Sequence, residues 1–286
     1  MASSTPAPAS ARERRRRPPP AVACAIAWLA LVIAAALTAD LLPISDPGVD
    51  VGHGVQTPPF EVAGQLPGTD AQGRSILSRL IFGARVSLAA AAAALVIAVV
   101  LGLLAGITAG FVRGRFDTAV GLVVDATLAF PGLILLLALA AVLGPGIPTI
   151  IIGLSIAAFP SFARLARSGT LRHADAEYVL AARGLGARRG TILLREILPV
   201  VAPPVFAYAG VIAAVLVLAE AALSFLGLGV VTPTPSWGNM IADGRNHLQT
   251  RPHLVFVPAT VLFLTILSFS VVGEWLRGRS DEQARL

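Results

Sequence analysis

Residues 177–199 read EYVLAARGLGARRGTILLREILP and form a polar, arginine-bearing segment between long apolar runs. The first seven residues favour a helix, and Asp175 is available as its N-cap. Gly184 and Gly186 are predicted to end this helix, because glycine readily adopts the left-handed conformation that a C-cap requires. The segment is therefore predicted to be a compact helical protrusion with small residues at its tip.

The apolar runs on both sides of this segment predict an all-α integral membrane protein with six transmembrane helices. Of the 286 residues, 56% are hydrophobic and 13% are charged, which is typical of membrane proteins. The predicted segments are, in order, a disordered cytoplasmic tail (1–20), a first transmembrane helix (21–42), an extracytoplasmic loop with an interfacial helix (43–84), a five-helix core (85–277) that contains the polar loop (170–199), and a cytoplasmic tail (278–286).

The apolar segments of the five-helix core also suggest how the helices pack. The second span is rich in alanine and glycine, including Gly102 and Gly106, which allows neighbouring helix backbones to approach closely. A short helix over 191–197 precedes Pro199, which is predicted to mark the entry to the next apolar run. The five core spans are predicted at 86–112, from 118 onward, and at 147–163, 203–226 and 254–275.

The last part of the first loop is predicted to be a short helix lying at the membrane surface, because its polar and apolar side chains separate onto two faces. The apolar arc holds Ile76, Leu77, Leu80, Ile81 and Ala84, and the polar arc holds Arg74, Ser75, Ser78 and Arg79. Trp237 and Trp275 are predicted to be anchors at the membrane interfaces.

The distribution of the arginines predicts the topology. Seventeen of the 22 basic residues, all of them arginine, lie in segments assigned to the cytoplasm and five lie in outer segments. By the positive-inside rule both termini are cytoplasmic, and the net charge of +6 does not indicate a nucleic-acid partner. A basic flank before an apolar run also fits a cleaved signal peptide, but Leu37 at position −3 before Ala39 is a poor cleavage context.

Several kinds of site are excluded by residue type. The sequence has no lysine, and the phosphate-binding loop of ATPases requires one. The single Cys24 excludes a disulfide within the chain. The four histidines lack metal-ligand spacing, so no metal site and no bound cofactor are predicted. The chain itself is not expected to be an enzyme.

Residues 177–199 resemble the EAA loop of bacterial ABC-importer permeases. The matching residues are Glu177 to Val179, Ala181 to Arg183, Leu185 to Ala187 and Ile197 to Pro199. The strings LPGTD at 66–70, AFP at 129–131, VLGPG at 142–146, EAALSFLGLG at 220–229 and PSWG at 235–238 are similar to the dipeptide, oligopeptide and nickel branch of that family, second-subunit type. Ser75 stands where that branch usually has Asp.

The resemblance implies a type I ABC-importer permease in the bacterial inner membrane that carries peptides or a related small solute such as a nickel chelate. It further implies a homologous second permease subunit, two ABC ATPase subunits that hold ATP and Mg²⁺, and an extracytoplasmic solute-binding protein, all assembled in the lipid bilayer. In the family, the EAA loop inserts a coupling helix into the ATPase. The coupling residues expected here are Glu177, Tyr178, Ala181, Ala182 and Gly186.

Two carboxylates are candidates for the translocation path or a gate. Asp125 lies in an apolar context in the third span, where a charge costs roughly 2.5–3.5 kcal/mol at the bilayer centre; a helix–helix hydrogen bond is the alternative. Glu220 lies near the outer end of the fifth span, and the alternative is a solvated interfacial carboxylate. A self-contained secondary transporter or channel is the second hypothesis, since such proteins use intramembrane charges and broken helices. The sequence shows no internal repeat.

Overall fold

The computed structural model describes residues 18–61, 66–230 and 232–283 of the 286-residue chain. These residues form ten α-helices and two isolated β-bridges, without a β-strand among them. The first 17 residues, most of the predicted N-terminal tail, lie outside the described residues. The helices are α1 (Pro20–Leu37), α2 (Ile76–Val112), α3 (Gly114–Ala129), α4 (Gly132–Leu143), α5 (Ile147–His173), α6 (Glu177–Gly184), α7 (Arg189–Ile192), α8 (Leu198–Phe225), α9 (Trp237–Gly244) and α10 (His253–Gln283).

Five helical segments in this part of the chain are long and apolar enough to cross a membrane. They are α1, α2, α5, α10 and the continuous helix formed by α7 and α8, and the sixth is the bent pair of α3 and α4 if it counts as one span. Large apolar side chains on these helices face outward, among them Leu31, Leu104 and Phe263, each more than half exposed. An apolar exterior of this extent fits a lipid or subunit environment.

The third predicted span is broken rather than straight. Helices α3 and α4 meet at an angle of 91° around Phe130 and Pro131. Proline lacks a backbone N–H and disfavours helical geometry in the residue before it. Phe130 accordingly adopts an extended conformation with φ −92° and ψ 131°. The apolar run alone did not reveal this corner.

The predicted surface helix before the second span is wrong as a separate element. Helix α2 runs without interruption from Ile76 to Val112, so the predicted boundary at residue 84 falls inside a helix. Its first turns are covered on both faces, because Ile76 and Leu80 are buried and so are Ser78 and Arg79. The separation of apolar and polar side chains onto two faces therefore does not indicate a membrane surface here, because the protein itself covers both faces.

Two helices also end later in the chain than predicted. Helix α5 continues ten residues beyond the predicted end at residue 163, to His173, so Arg164, Arg167 and Arg172 lie on a helix instead of in a loop. Helix α10 continues to Gln283, which places the start of the predicted C-terminal tail inside a helix. Hydropathy marks where a helix leaves an apolar environment, and the backbone hydrogen bonds can continue past that point.

Helices α7 and α8 are joined by a π-helical turn over Leu193–Ile197. Pro199 was predicted to follow a short helix over 191–197 and to mark the entry to the next apolar run. It lies instead at the second position of α8, within one continuous helix over Arg189–Phe225. A proline is tolerated there because the wider turn changes the hydrogen-bond register next to a residue that cannot donate.

The core is organised around the pair of α2 and α5, which have the most extensive contact of any two helices described. Glycines at Gly102, Gly106 and Gly110 of α2 face α5. A Cβ atom on Gly106 would lie 2.4 Å from the carbonyl oxygen of Ala163. The prediction that small residues of this span permit close helix packing is therefore confirmed. Helices α8 and α10 cross in the same way at Gly210 and Gly273.

Helix α1 lies at the edge of this bundle. It packs on α10 and α2, and the indole Nε1 of Trp28 donates a hydrogen bond of 3.1 Å to the hydroxyl of Thr265 in α10. Arg85 of α2 donates to the carbonyl oxygen of Ala36 near the end of α1 and pairs with Asp40. The core spans thus pack without α1 between them.

Candidate functional site

Helix α6 has the glycine-terminated geometry that its sequence predicts. Gly186 adopts φ +79°, in the left-handed region. The backbone N–H of Gly186 donates to the carbonyl of Arg183, and that of Ala187 donates to the carbonyl of Ala182, each at 3.0 Å. This pair of bonds is the Schellman arrangement, which satisfies the last carbonyl groups of a helix. Gly184 is the last helical residue, so Gly186 provides the left-handed turn.

The predicted N-cap of α6 is wrong. The residue before the helix is Ala176, which makes no side-chain capping bond. Asp175 instead accepts a bond of 2.6 Å from the guanidinium of Arg113, at the corner between α2 and α3. Asp175 lies one residue before the N-cap position, and its carboxylate therefore joins this loop to the end of α2 instead of capping α6.

The predicted coupling residues divide between two faces of α6. Val179 is fully buried and Ala182 is half-buried against the core. The exposed face carries Glu177, Tyr178 and Ala181, continued beyond the helix by Leu185 and Gly186. Leu185 is 89% exposed, an unusual situation for a leucine at the tip of a protruding loop. The exposed face is the part of α6 that a partner can contact.

The inner face of α6 is attached to the end of α2. The guanidinium of Arg183 lies 5.1 Å from the centre of the Phe111 ring and donates to the carbonyl oxygen of Ala174. Together with the Arg113–Asp175 ion pair, these contacts hold α6 and the turn between α5 and α6 against the end of α2.

The side chain of Tyr178, on α6, contacts the end of the preceding helix, α5. Its hydroxyl is 3.2 Å from Nδ1 of His173, the last residue of α5. Burial raises the pKa of the Tyr178 phenol, and the nearby carboxylate of Glu196 raises it further. The tyrosine is therefore neutral at physiological pH and acts there as a hydrogen-bonding group.

The side chain of Asp125 is exposed on the surface of α3. Its side chain is 71% exposed and lies 2.7 Å from the guanidinium of Arg164 on α5. About two helical turns earlier, Asp117 of α3 accepts hydrogen bonds from two guanidinium nitrogens of Arg167 of α5, Nε and Nη2. Helix α3 buries only one residue, Val124. Ion pairs thus connect α3 to α5 where apolar packing is sparse.

Glu220 is fully buried, not solvated at an interface. Its Oε1 accepts a hydrogen bond of 2.8 Å from Ser224, one turn later on α8. Its Oε2 is enclosed without a hydrogen-bond partner among the described residues. The two predicted carboxylates are therefore not brought together, since Asp125 is paired at the surface of α3 and Glu220 is enclosed in α8.

Helix α9 closes over the same end of α8 as Glu220. Trp237 was predicted to be an interfacial anchor, but it is fully buried. Its backbone N–H donates to Ser87 and its indole Nε1 donates to the carbonyl oxygen of Leu80, both on α2. A Cβ atom on Gly238 would lie 2.2 Å from the carbonyl oxygen of Ala221. The PSWG string is thus a packing element that joins α9 to α2 and α8.

A buried cluster of charges, which the sequence analysis missed, joins the first loop to α9. Arg79 is 1% exposed and lies 3.1 Å from Asp70 and 3.3 Å from Asp243. Arg74 pairs with Asp70 at 2.7 Å. Burial raises the pKa of Asp243, while Arg79 and Arg74 lower it. The sequence signal is the polar arc of 74–79, which was predicted to belong to a helix at the membrane surface and not to a buried ion cluster.

Comparison with known proteins identifies the chain. Residues 98–285 match the family described as "Binding-protein-dependent transport system inner membrane component". The glutathione transport system permease protein GsiD of Escherichia coli O6:K15:H31 (strain 536 / UPEC) is 40% identical over 218 residues, which cover 76% of this chain and 72% of that protein. The corresponding protein of Shigella flexneri serotype 5b (strain 8401) is 41% identical over the same length.

The fold is similar to that of solved transporters. The inward facing MetNI methionine ABC transporter in its native crystal form matches with a TM-score of 0.56 and 18% identity, over 73% of this chain and 96% of that chain. A second crystal form matches with a TM-score of 0.54 and 19% identity, over 72% and 95%. At this identity the likeness concerns the fold alone. The chain is thus a multi-pass ABC-importer permease subunit and belongs to the family of binding-protein-dependent transport system inner membrane components.

Proposed function

We propose that this chain forms part of the translocation path of an importer for small peptides. The observation that carries the proposal is the 40% identity to permeases named for glutathione, which is itself a tripeptide. The sequence strings at 66–70 and 220–229 support the same solute class, because they resemble the peptide branch. Peptides present carboxylate, amine and amide groups, so their path requires polar groups inside an apolar bundle.

The energy source proposed for this import is ATP bound, with Mg²⁺, on two separate ATPase subunits. The lack of lysine in this chain supports that division of labour. A homologous second permease would complete the path, and a solute-binding protein would deliver the peptide from outside. Both termini would then be cytoplasmic, in agreement with the positive-inside rule.

Helix α6 is the proposed contact with the ATPase. Its exposed face carries Glu177, Tyr178 and Ala181, while Ala182 holds the helix against the core and Gly186 turns the chain at the tip. Closure of the ATPase dimer would shift α6, and the contacts of Arg183 with Phe111 would pass that shift to α2. ATP binding can only move the access equilibrium by its differential affinity for the two states.

The two carboxylates receive different proposed roles. Asp125 is exposed and paired with Arg164, which is compatible with a position beside the path or at a cytoplasmic gate. Glu220 is enclosed next to α9, so its proposed role is to support the outer mouth. These roles are tested by replacing either carboxylate with the matching amide and measuring peptide uptake by the assembled complex.

The test of the proposal is purification of the tagged chain from its native membranes, followed by reconstitution with its binding protein. We expect an ABC ATPase and a second permease to co-purify, and ATP to drive uptake of glutathione or another small peptide. The isolated chain should neither bind nor hydrolyse ATP. A secondary transporter would instead give uptake without an ATPase, driven by an ion gradient alone, and that outcome would overturn the proposal.

The coupling role of α6 has a same-site control. Ala181→Trp should abolish ATPase co-purification, because a bulky side chain on the exposed face blocks entry into a cleft. Ala181→Ser keeps the small volume and should bind the ATPase as the wild type does. If both variants retain the ATPase and transport equally, α6 is not the coupling element.

A further inference from the structure

A polar cavity of about 590 Å³ lies between α5, α8 and α10. Its volume falls in the range of roughly 300–1,000 Å³ that is typical of small-molecule sites. The polar side chains that line it are two arginines and four hydroxyl-bearing residues: Arg164, Arg277, Tyr208, Ser161, Ser168 and Ser280. None of the lining residues that the structure describes is acidic.

This lining favours an anionic ligand. A guanidinium group presents several N–H donors in a planar fork that matches a carboxylate or a phosphate. Arg164 uses one nitrogen to bind Asp125 at 2.7 Å, which orients its guanidinium group next to the cavity. The ring of Tyr208 is held in place by an edge-on contact with Phe162 at 5.8 Å. Two oriented donor residues therefore border the same space.

The cavity lies near the end of the bundle that carries α6. Arg164 precedes the last residue of α5 by nine positions, which corresponds to roughly 13 Å along a helix. Arg277 lies near the end of α10, beyond its most apolar stretch. A ligand bound here would therefore sit within a few helical turns of the loop that we assign to the ATPase.

We propose that this cavity binds an anionic oxygen group, of which the carboxylate of the transported peptide is the expected source. The inference rests on the proposed import of peptides and adds a site for the anionic group of the peptide at the end of the bundle that carries α6. The headgroup phosphate of an anionic lipid offers the same chemistry. The two sources are separated by the choice of lipid and of peptide ester in the experiment.

The experiment measures binding of radiolabelled glutathione to the complete complex in nanodiscs, without binding protein and without ATP. Arg277→Gln should weaken binding roughly ten-fold, the loss typical of one charge-assisted hydrogen bond. Arg277→Lys should weaken binding by less than Arg277→Gln does but should not restore it, because the charge remains while the planar fork of donors is lost. The matched control is Arg279→Gln, since Arg279 stacks on Trp275 at 4.4 Å and does not line the cavity.

A second ligand separates recognition of the anion from a change in structure. Glutathione with both carboxylates esterified should bind more weakly to the wild type and should not distinguish Arg277→Gln from the wild type. If Arg277→Gln weakens the acid and the ester equally, the arginine acts on the structure and the proposal is wrong.

The lipid arm compares nanodiscs of phosphatidylcholine with nanodiscs that also contain phosphatidylglycerol. If Arg277→Gln leaves glutathione binding unchanged but reduces the phosphatidylglycerol retained by the complex, the site stands with a lipid headgroup as its ligand. If Arg277→Gln and Arg279→Gln behave alike in every arm, there is no anion site here. Absence of ATP-driven peptide uptake by the wild type would contradict the proposed function alone, because the lipid arm measures the cavity independently.

Discussion

At the scale of single residues, Arg79 illustrates how this protein accommodates a buried charge. Its guanidinium group is 1% exposed and is shared between Asp70 of the first loop and Asp243 of α9. Burying an isolated charge is costly, and the cost is offset only when opposite charges and hydrogen bonds surround it. The cluster therefore determines how the first loop and α9 meet.

We expect Arg79→Gln to destabilise the protein by on the order of 3 kcal/mol. The substitution removes the more buried of the two arginines that pair with Asp70 and Asp243, and Arg74 alone is left to balance both carboxylates. Arg85→Gln is the control, since Arg85 and Asp40 are 37% and 68% exposed and such pairs contribute about 1 kcal/mol or less. Unfolding followed by tryptophan fluorescence in detergent measures both. Equal stability of the two variants would contradict a structural role for the cluster.

Gly186 is the other single residue with a specific consequence. Its φ of +79° is unfavourable for a side chain, and no neighbouring atom lies within 4 Å of the position of a Cβ atom. Gly186→Ala should therefore strain the turn by about 1–2 kcal/mol and impair ATPase coupling without a steric clash.

Gly184→Ala provides the matched control for this turn, because Gly184 is helical and its Cβ position is equally open. It should preserve or slightly increase the helicity of α6. ATPase co-purification and ATP-driven uptake, measured side by side, distinguish the two variants. Identical behaviour would mean that the left-handed turn is unimportant for docking.

At the scale of elements, the contact of α2 with α5 depends on the glycines of α2. The atoms facing Gly106 are the carbonyl oxygen of Ala163, Cβ of Ala166 and the backbone nitrogen of Arg167, all within 2.8 Å of a Cβ position. Because two of them are backbone atoms, they cannot rotate away. Close backbone approach of this kind is a principal source of helix association in membranes.

Gly106→Ala should accordingly separate α2 from α5 and cost about 1–3 kcal/mol. Gly121→Ala in α3 makes the same chemical change where nothing lies within 4 Å, and it should be neutral or stabilising by roughly 1 kcal/mol through helix propensity. Thermal unfolding of the two purified variants provides the comparison. A Gly106→Ala variant as stable as Gly121→Ala would show that the helices can move apart at no cost.

At the scale of the whole molecule, the arginine distribution and the position of α6 make one topology prediction. In a Cys24→Ala background, Val55→Cys and Gln249→Cys should react with an impermeant maleimide added to intact spheroplasts. Leu185→Cys should react only after the membrane is opened. All three positions are exposed in the structure, so a failure to react reports the side of the membrane. Labelling of Leu185→Cys from outside would reverse the orientation.

The sequence by itself determined the class of the protein and the positions of a tight turn and of a close helix contact. Apolar runs long enough to span a bilayer require helices, since every backbone polar group must be satisfied within lipid. The left-handed turn at Gly186 and the close packing at Gly106 follow from the absence of a side chain, so both were predictable. The exposed face of α6 follows from the polar character of this segment, whereas the coupling role of its residues stays a prediction.

Only the tertiary structure decided what covers each polar side chain. Arg79 and Asp243 are 164 positions apart, and no local pattern reports that they meet. The same limit explains the mistaken surface helix at 74–84, the 91° corner between α3 and α4, and the cavity bordered by Arg164 and Arg277. Hydropathy and helix propensity depend on neighbours within a few residues, whereas burial is set by helices that are distant in sequence and adjacent in space.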